Sequence, residues 1–272
     1  MITFSRLGQV GRLGNQLFQV AFITAFAERF NIQYALPYWK YADYFDYPFL
    51  FRTNLDILQY DMTIREPALG YHEQYFRDLL PAMQHQHINI ITGYFQSYKY
   101  FSKEHVLKIF RFKNDLTINA NKCIAISVRR GDFVKHKHFN NIEAETFRRL
   151  LKNFPSFKVF VFTDDYNYCK REFIGNEYEF MEGLNDIQQL QLFSKFEYYI
   201  LSNSTFSYWG PMLHPSPKCI LYPKYMFPDL DRCDLYNREY WPPEEEYISY
   251  INPVNKYDSS FKIQDTRQKG IK

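Results

Sequence analysis

The chain has 272 residues, 46% of them hydrophobic and 20% aromatic, with a formal net charge of +3. That length suits one large domain or two modest ones, that apolar share excludes wholesale disorder, and so small a charge gives no ground for a nucleic-acid-binding protein. Loose contact with an anionic membrane face stays open. Cys123, Cys169, Cys219 and Cys233 are far apart with no CxxC spacing, which argues against a zinc site or a disulfide framework and for a reducing compartment. The N-terminus carries no apolar h-region, and no run of about 18 apolar residues occurs. The sequence therefore reads as a soluble, cytoplasmic protein.

Residues 11–16, GRLGNQ, run straight into a helical pattern from Leu17 to about Asn31. It is apolar on most sides, as a deeply buried helix is. Two glycines and an Asn-Gln pair ahead of a helix form a candidate ligand loop, because a helix N-terminus presents N–H groups. An ordinary glycine-rich turn explains the same residues. Residues 32–36 read as a strand stopped by Pro37. Residues 38–56 mix Tyr, Trp, Phe and Asp, which suits sugar stacking or an aromatic surface packed on its neighbours. Residues 57–87 read as irregular, and His85 and His87 lack partners at zinc spacing. Residues 88–92 form a strand that enters GYFQSYKYF (93–101), followed by a short helix over 102–109. The polar stretch 110–122 marks a boundary. It divides the chain into an N-terminal unit, 1–118, a second unit, 119–250, and a polar tail, 251–272.

The centre of the second unit is Cys123–Val128, a short β-branched apolar run that reads as a buried strand. It ends in Arg129-Arg130-Gly131-Asp132. Guanidinium groups at the C-terminal end of a buried strand stand where open α/β sheets hold ligands, and arginine grips phosphate oxygens with a planar fork. Surface ion pairs account for the same arginines equally well. Strand and helix then alternate: helix 143–153, strand 157–163, helix 166–173, strand 178–181, helix 186–196, strand 197–201, helix 206–213 and strand 218–222. Such alternation implies a parallel, doubly wound sheet. Its strand ends, RRGD, Asp164-Asp165 and Ser202-Asn203-Ser204-Thr205, should converge on one edge. Together they look like a site for a nucleotide diphosphate, with arginine for charge, hydroxyls and helix N–H groups for the phosphates, and Asp164 and Asp165 as acceptors. Neither GxGxxG nor GxxxxGK[ST] is present. Asp229-Leu230-Asp231 lies in a Pro-rich stretch and reads as a surface loop without a metal. Trp241-Pro242-Pro243-Glu244 reads as a turn into a helix.

Five segments, in order, carry a resemblance: GRLGNQLFQVA (11–21), GYFQSYKYF (93–101), SVRRGDFV (127–134), VFTDD (161–165) and ILSNSTFSYWGPML (200–213). They resemble the signatures of the bacterial α-1,2-fucosyltransferases, glycosyltransferase family 11. The resemblance implies a GT-B-like α/β fold, two Rossmann-like domains with a cleft between them. It implies GDP-fucose as donor substrate, no cofactor and no metal, inversion at the anomeric carbon, and an oligosaccharide or lipid-linked glycan as acceptor. The expected product is a surface glycan fucosylated at the 2-OH of galactose. By position in the motifs, Arg129 would stabilise the departing GDP. Asn203, Ser204, Thr205 and Phe206 form the phosphate-side block, with Asp164 and Asp165 beside it. Gly14 and Asn15 belong to the opening loop, and Arg130 and Asp132 would hold the arginine loop in shape. Ser127 stands where the family usually has histidine on the nucleoside side, which opens the alternative of another GDP-sugar. A non-catalytic glycan- or nucleotide-binding protein of the same fold is the other alternative. An acidic residue for guanine falls near Gln189 or Asp186. His72, Glu73 and Asp43 are candidate bases that no motif fixes.

Overall fold

A computed structural model describes residues 1–53, 59–135, 141–223, Tyr240 and the backbone of Ile248–Ile251. Asp229-Leu230-Asp231, the 241–244 turn and residues 252–272 lie outside the described residues. Two compact units divide the chain, one comprising Met1–Asp115 with Asp234–Pro242, the other the remainder. The range 119–250 assigned to the second unit therefore needs a correction. Tyr240 is buried and packs on Phe18 at 5.7 Å between ring centroids, inside the first unit.

The first unit holds a parallel four-stranded sheet. Its strands are β1 (Ile2–Thr3), β2 (Tyr34–Ala35), β3 (Met62–Arg65) and β4 (Ile88–Thr92), in the order β2-β1-β4-β3. The helix α1 spans Leu13–Phe30, and fourteen of the fifteen positions from Leu13 to Ala27 are buried, Asn15 being the exception. A helix that is apolar nearly all round has no solvent face to present. Asn31 ends it in the left-handed conformation, φ 51°, the usual stop for a helix. Phe22 stacks flat on Phe95 at 4.0 Å and meets Phe76 and Tyr100 at 5.0 Å. The aromatic share of the sequence is thus largely core filling here. Trp39 belongs to the same category, 1% exposed and stacked on Phe45.

Three features differ from the sequence expectation. The helix begins at Leu13, so Gly14 and Asn15 sit in its first turn and not in a loop before it. Residues 57–87 are not irregular: they contain β3 and two short helices, α2 (Glu73–Asp78) and α3 (Leu80–His85). Only Ile64 of β3 is buried, so its hydrophobic pattern is too thin to read. β1 has two residues, below any useful window. The helix after the aromatic segment, α4 (Lys103–Ile109), starts where expected because the Ser102 hydroxyl accepts from the His105 N–H at 3.1 Å.

The second unit is built on a six-stranded, all-parallel sheet. Its strands are β5 (Cys123–Val128), β6 (Lys158–Thr163), β7 (Tyr178–Phe180), β8 (Tyr198–Ile200), β9 (Cys219–Pro223) and β10 (Ile248–Ile251). Between them run α5 (Ala144–Leu151), α6 (Tyr166–Glu172), α7 (Asp186–Phe193) and α8 (Thr205–Leu213). The order is β10-β9-β8-β5-β6-β7. The order of strand addition thus reverses between β5 and β8, the arrangement of a dinucleotide-binding Rossmann sheet. β5 is buried at all six positions, as a central strand with covered faces must be. β10 lies within a segment whose sequence pointed to a turn and helix, and its pairing with β9 is what makes it a strand.

Candidate active site

In the second unit the chain leaves β5 at the point where strand order reverses, and three strand ends meet there. Arg129 is 12% exposed at its side chain and forms ion pairs with Asp132 and Asp164. Its guanidinium also lies 4.9 Å from the centre of the Phe133 ring. Asp164 accepts a second bond, from the Arg130 N–H at 2.8 Å. One carboxylate at the end of β6 therefore fixes both the backbone and the charge at the end of β5. Gly131 has φ 22°, and a Cβ there would run into the Asp164 carboxylate. The glycine is needed because this carboxylate approaches so closely.

Arg130 turns the other way. It lies 3.6 Å above the Tyr168 ring, donates to Glu143 at 3.2 Å and lies 3.8 Å from Asp165. Asp165 caps α6, accepting from the Tyr168 N–H at 3.1 Å. Arg130 and Asp165 are therefore parts of the frame. Asp132 is 64% exposed and touches Arg129 from the solvent side. Cys169, beside this site, is buried, and burial pushes its thiol up to about 11, so it is no thiolate nucleophile near neutrality.

At the end of β8 the hydroxyls face inward. Ser207 Oγ lies 2.6 Å from Ser127 Oγ, 2.9 Å from Ser202 Oγ and 2.8 Å from Ser204 Oγ. Ser204 caps α8 by accepting from the Ser207 N–H at 3.1 Å. Four buried hydroxyls so tie the end of β5 to the start of α8. Ser202 and Ser204 were expected to offer their hydroxyls to a ligand, but both are turned into this cluster. Ser127 is 4% exposed and belongs to it as well. Asn203 is buried. Thr205 and Phe206 open α8 and are part-exposed. The Phe206 ring stacks on Phe193 at 5.9 Å. Asp186 opens α7, where Asn185 and Gln188 form a reciprocal capping box.

The first unit has its own reversal, between β1 and β4, and amides fill it. Asn89 on β4 accepts from the Ser5 N–H at 3.1 Å and donates to Ser5 Oγ at 2.9 Å. Gln19 donates to Val10 O and Gly93 O, and Gln16 joins Gly11 O to the Trp39 indole N–H. Gln96 donates to Asn15 Oδ1 at 2.8 Å. The GRLGNQ and GYFQS motifs, about 80 residues apart in sequence, are thus one hydrogen-bonded unit. Gly14 is buried in the first turn of α1.

Of the candidate bases, Glu73 is held by Arg29 at 2.7 Å and Arg77 at 3.1 Å, with its side chain only 9% exposed. Asp43 accepts from the Tyr38 hydroxyl at 2.6 Å. His72 Nε2 is buried. A residue that sequence reasoning passed over stands out instead. Glu66 follows β3, is half-buried, and burial pushes its carboxyl up to about 7. Among the described residues no group of three or more His, Cys, Asp or Glu is arranged to hold a metal ion. No described helix is long and apolar enough to cross a membrane.

Comparison with known proteins adds the family and the fold. Residues 6–234 match the family profile described as Glycosyl transferase family 11. A curated relative, an alpha-1,2-colitosyltransferase of Escherichia coli, is 28% identical over 145 residues, covering 44% of this chain and 50% of that protein. The chain thus matches about half the length of that relative. Among solved structures, a NodZ alpha-1,6-fucosyltransferase soaked with GDP-fucose superposes with a TM-score of 0.52 at 12% identity, over 79% of this chain and 92% of that one. POFUT1 in complex with GDP-fucose gives 0.51 at 12%, over 81% and 97%. At such identities the likeness carries the fold, which is the GT-B-like α/β type. With a profile match spanning all five sequence motifs, the chain belongs to glycosyl transferase family 11.

Proposed function

We propose that this protein is an inverting glycosyltransferase that moves L-fucose from GDP-fucose to a hydroxyl of a surface glycan, with the 2-OH of galactose as the expected acceptor. The observation that carries the reading is Arg129. It is a permanently charged, nearly buried group at the reversal point of a Rossmann-ordered sheet, steadied by two carboxylates. As the bond from the sugar C1 to the diphosphate oxygen breaks, the electron pair leaves with GDP. The acceptor oxygen forms the new bond from the opposite face. Arg129 meets the growing negative charge, and a preorganised donor of this kind is typically worth about 3 kcal/mol. Asp132 is the exposed partner and the one a phosphate oxygen would replace. Thr205 and the N–H groups at the start of α8 supply further phosphate contacts. Arg130, Asp164 and Asp165 hold Arg129 in place. On this reading no metal is needed, because arginine carries the neutralising charge.

Incubation with GDP-fucose and a panel of β-galactosides tests the proposal. Transfer with release of GDP is expected, and absence of both transfer and donor turnover would overturn it. A second reading, transfer from a different GDP-sugar, is favoured by the colitosyltransferase relative. A donor panel on one acceptor separates the two.

A further inference from the structure

We infer that Glu66 is the general base of the transfer, the group that takes the proton from the acceptor hydroxyl. The inference rests on the glycosyltransferase reading above. Its first support is position. Glu66 stands immediately beyond β3, at the C-terminal edge of the first unit's parallel sheet, the edge where such sheets hold their ligands. The β3–β4 register slips just before it. Ile64 pairs with Ile90, but Arg65 pairs with Thr92, leaving Ile91 over. Bulges of this kind re-aim the residues that follow. Here the Glu66 N–H still reaches Thr92 O at 2.9 Å, so the backbone ladder continues as far as Glu66.

The second support is how the side chain is held. Its oxygens accept from the Tyr94 N–H at 2.7 Å and the Phe95 N–H at 3.1 and 3.2 Å. Those N–H groups belong to the GYFQS motif, whose Gln96 is bonded to Asn15. Phe95 sits at φ 52°, a left-handed conformation that is uncommon for a non-glycine residue. Gly93 is required at the same point, because a Cβ there would lie 2.5 Å from the Phe95 ring and 2.9 Å from Glu66 Cβ. The motif thus turns two successive N–H groups onto this carboxylate. A carboxylate has about four acceptor positions, so the three contacts leave room for an incoming hydroxyl.

The third support is charge. Among the described residues no cation pairs with Glu66. The groups that bear on its ionisation are burial and the two N–H donors, and burial dominates. Glu73, by contrast, is held between two arginines and stays committed. A base works best when its pKa lies near the working pH, and burial pushes the Glu66 carboxyl up to about 7. In the step itself the acceptor O–H bond breaks and its proton goes to Glu66. The acceptor oxygen bonds to the sugar C1, and GDP leaves with the electrons of the C1–O bond. Glu66 later gives the proton to water.

The test uses the full chain, wild type and Glu66→Gln, with GDP binding measured alongside. Glutamine keeps the shape and an oxygen for the Tyr94 and Phe95 N–H groups. The expected result is a 10²–10⁴-fold loss of turnover, with GDP affinity unchanged. The wild-type kcat/KM should rise with pH and level off above about 7, a limb that Glu66→Gln lacks and Glu66→Asp partly restores. Full turnover in Glu66→Gln with the pH limb intact overturns the inference and leaves the glycosyltransferase reading standing. A wild type that transfers no sugar to any acceptor brings down both. Loss of GDP affinity in Glu66→Gln would also overturn it, since the residue would then serve the fold.

Discussion

The two sheets end in opposite chemistries. The edge of the second unit is ionic: Arg129 pairs with Asp132 and Asp164, Arg130 pairs with Glu143 and Asp165, and the Arg130 N–H joins the two sets through Asp164. The edge of the first carries an amide network, with Asn15, Gln16, Gln19, Asn89 and Gln96 bonded to backbone, to Ser5 and Trp39, and to one another. Glu66 stands at the same edge, and among the described residues no cation pairs with it. An anionic ligand gains little from an amide network, and a neutral hydroxyl-rich ligand gains little from a fixed guanidinium. Amides both donate and accept, as sugar hydroxyls do. Under the proposed function, the contrast matches a diphosphate to the second unit and a polyol to the first.

Apart from Glu66→Gln, the largest expected effect breaks the ionic side. Arg129→Ala should lower turnover by about 10²–10³-fold and weaken GDP binding in calorimetry. It also leaves Asp164 and Asp132 without their cation, so GDP affinity and folding are to be measured on the same sample. Unaltered turnover would remove Arg129 from the mechanism. Next is Ser207→Ala. Ser207 has no exposed surface and sits among three other hydroxyls. Removing its oxygen takes a partner from each of them, at a cost of about 2 kcal/mol. Denaturant titration reads that loss directly. The Ser204 cap on the Ser207 N–H survives the change, so α8 should persist.

How much of this was legible in the sequence differs between the units for a physical reason. In the second unit β5 and β6 are apolar runs ending in polar residues, so these strands and their ends could be read off directly. In the first unit the sheet leans on β1, two residues long, and β3, with one buried position. Their identity as strands comes from pairing, which no local pattern encodes. The family motifs brought Arg129, Asn15 and the SNST block forward, but gave no hint that Ser202 and Ser204 face inward. Glu66 was missed because its distinction is desolvation, a property of what surrounds a side chain. The faint local sign was its place before Pro67, where a strand must stop.

On the amide side, Gln96→Ala should cost about tenfold in kcat/KM for the acceptor, the equivalent of about 1.4 kcal/mol. It removes the bond to Asn15 and leaves the Glu66 contacts to Tyr94 and Phe95 intact. If the amide edge serves a polyol, the loss should fall on the KM for acceptor and spare the Kd for GDP. A loss in GDP affinity instead would dissolve the contrast between the units.

The smallest effect is the most pointed. Ser127 occupies the position where the family usually has histidine, and that departure invites a changed donor. Its hydroxyl, however, is 2.6 Å from Ser207 Oγ and 3.4 Å from Ser202 Oγ, in a site 4% exposed. Such a group stabilises the joint between β5 and α8, and its chemistry ends inside the core. Ser127→Ala should therefore cost about 1 kcal/mol of stability, because Ser207 keeps Ser202 and Ser204 as partners. The ranking of GDP-fucose against GDP-mannose should not move. If the ranking shifts while stability holds, Ser127 reads the donor after all. The ionic edge would then extend one residue deeper into β5 than the hydroxyl cluster allows.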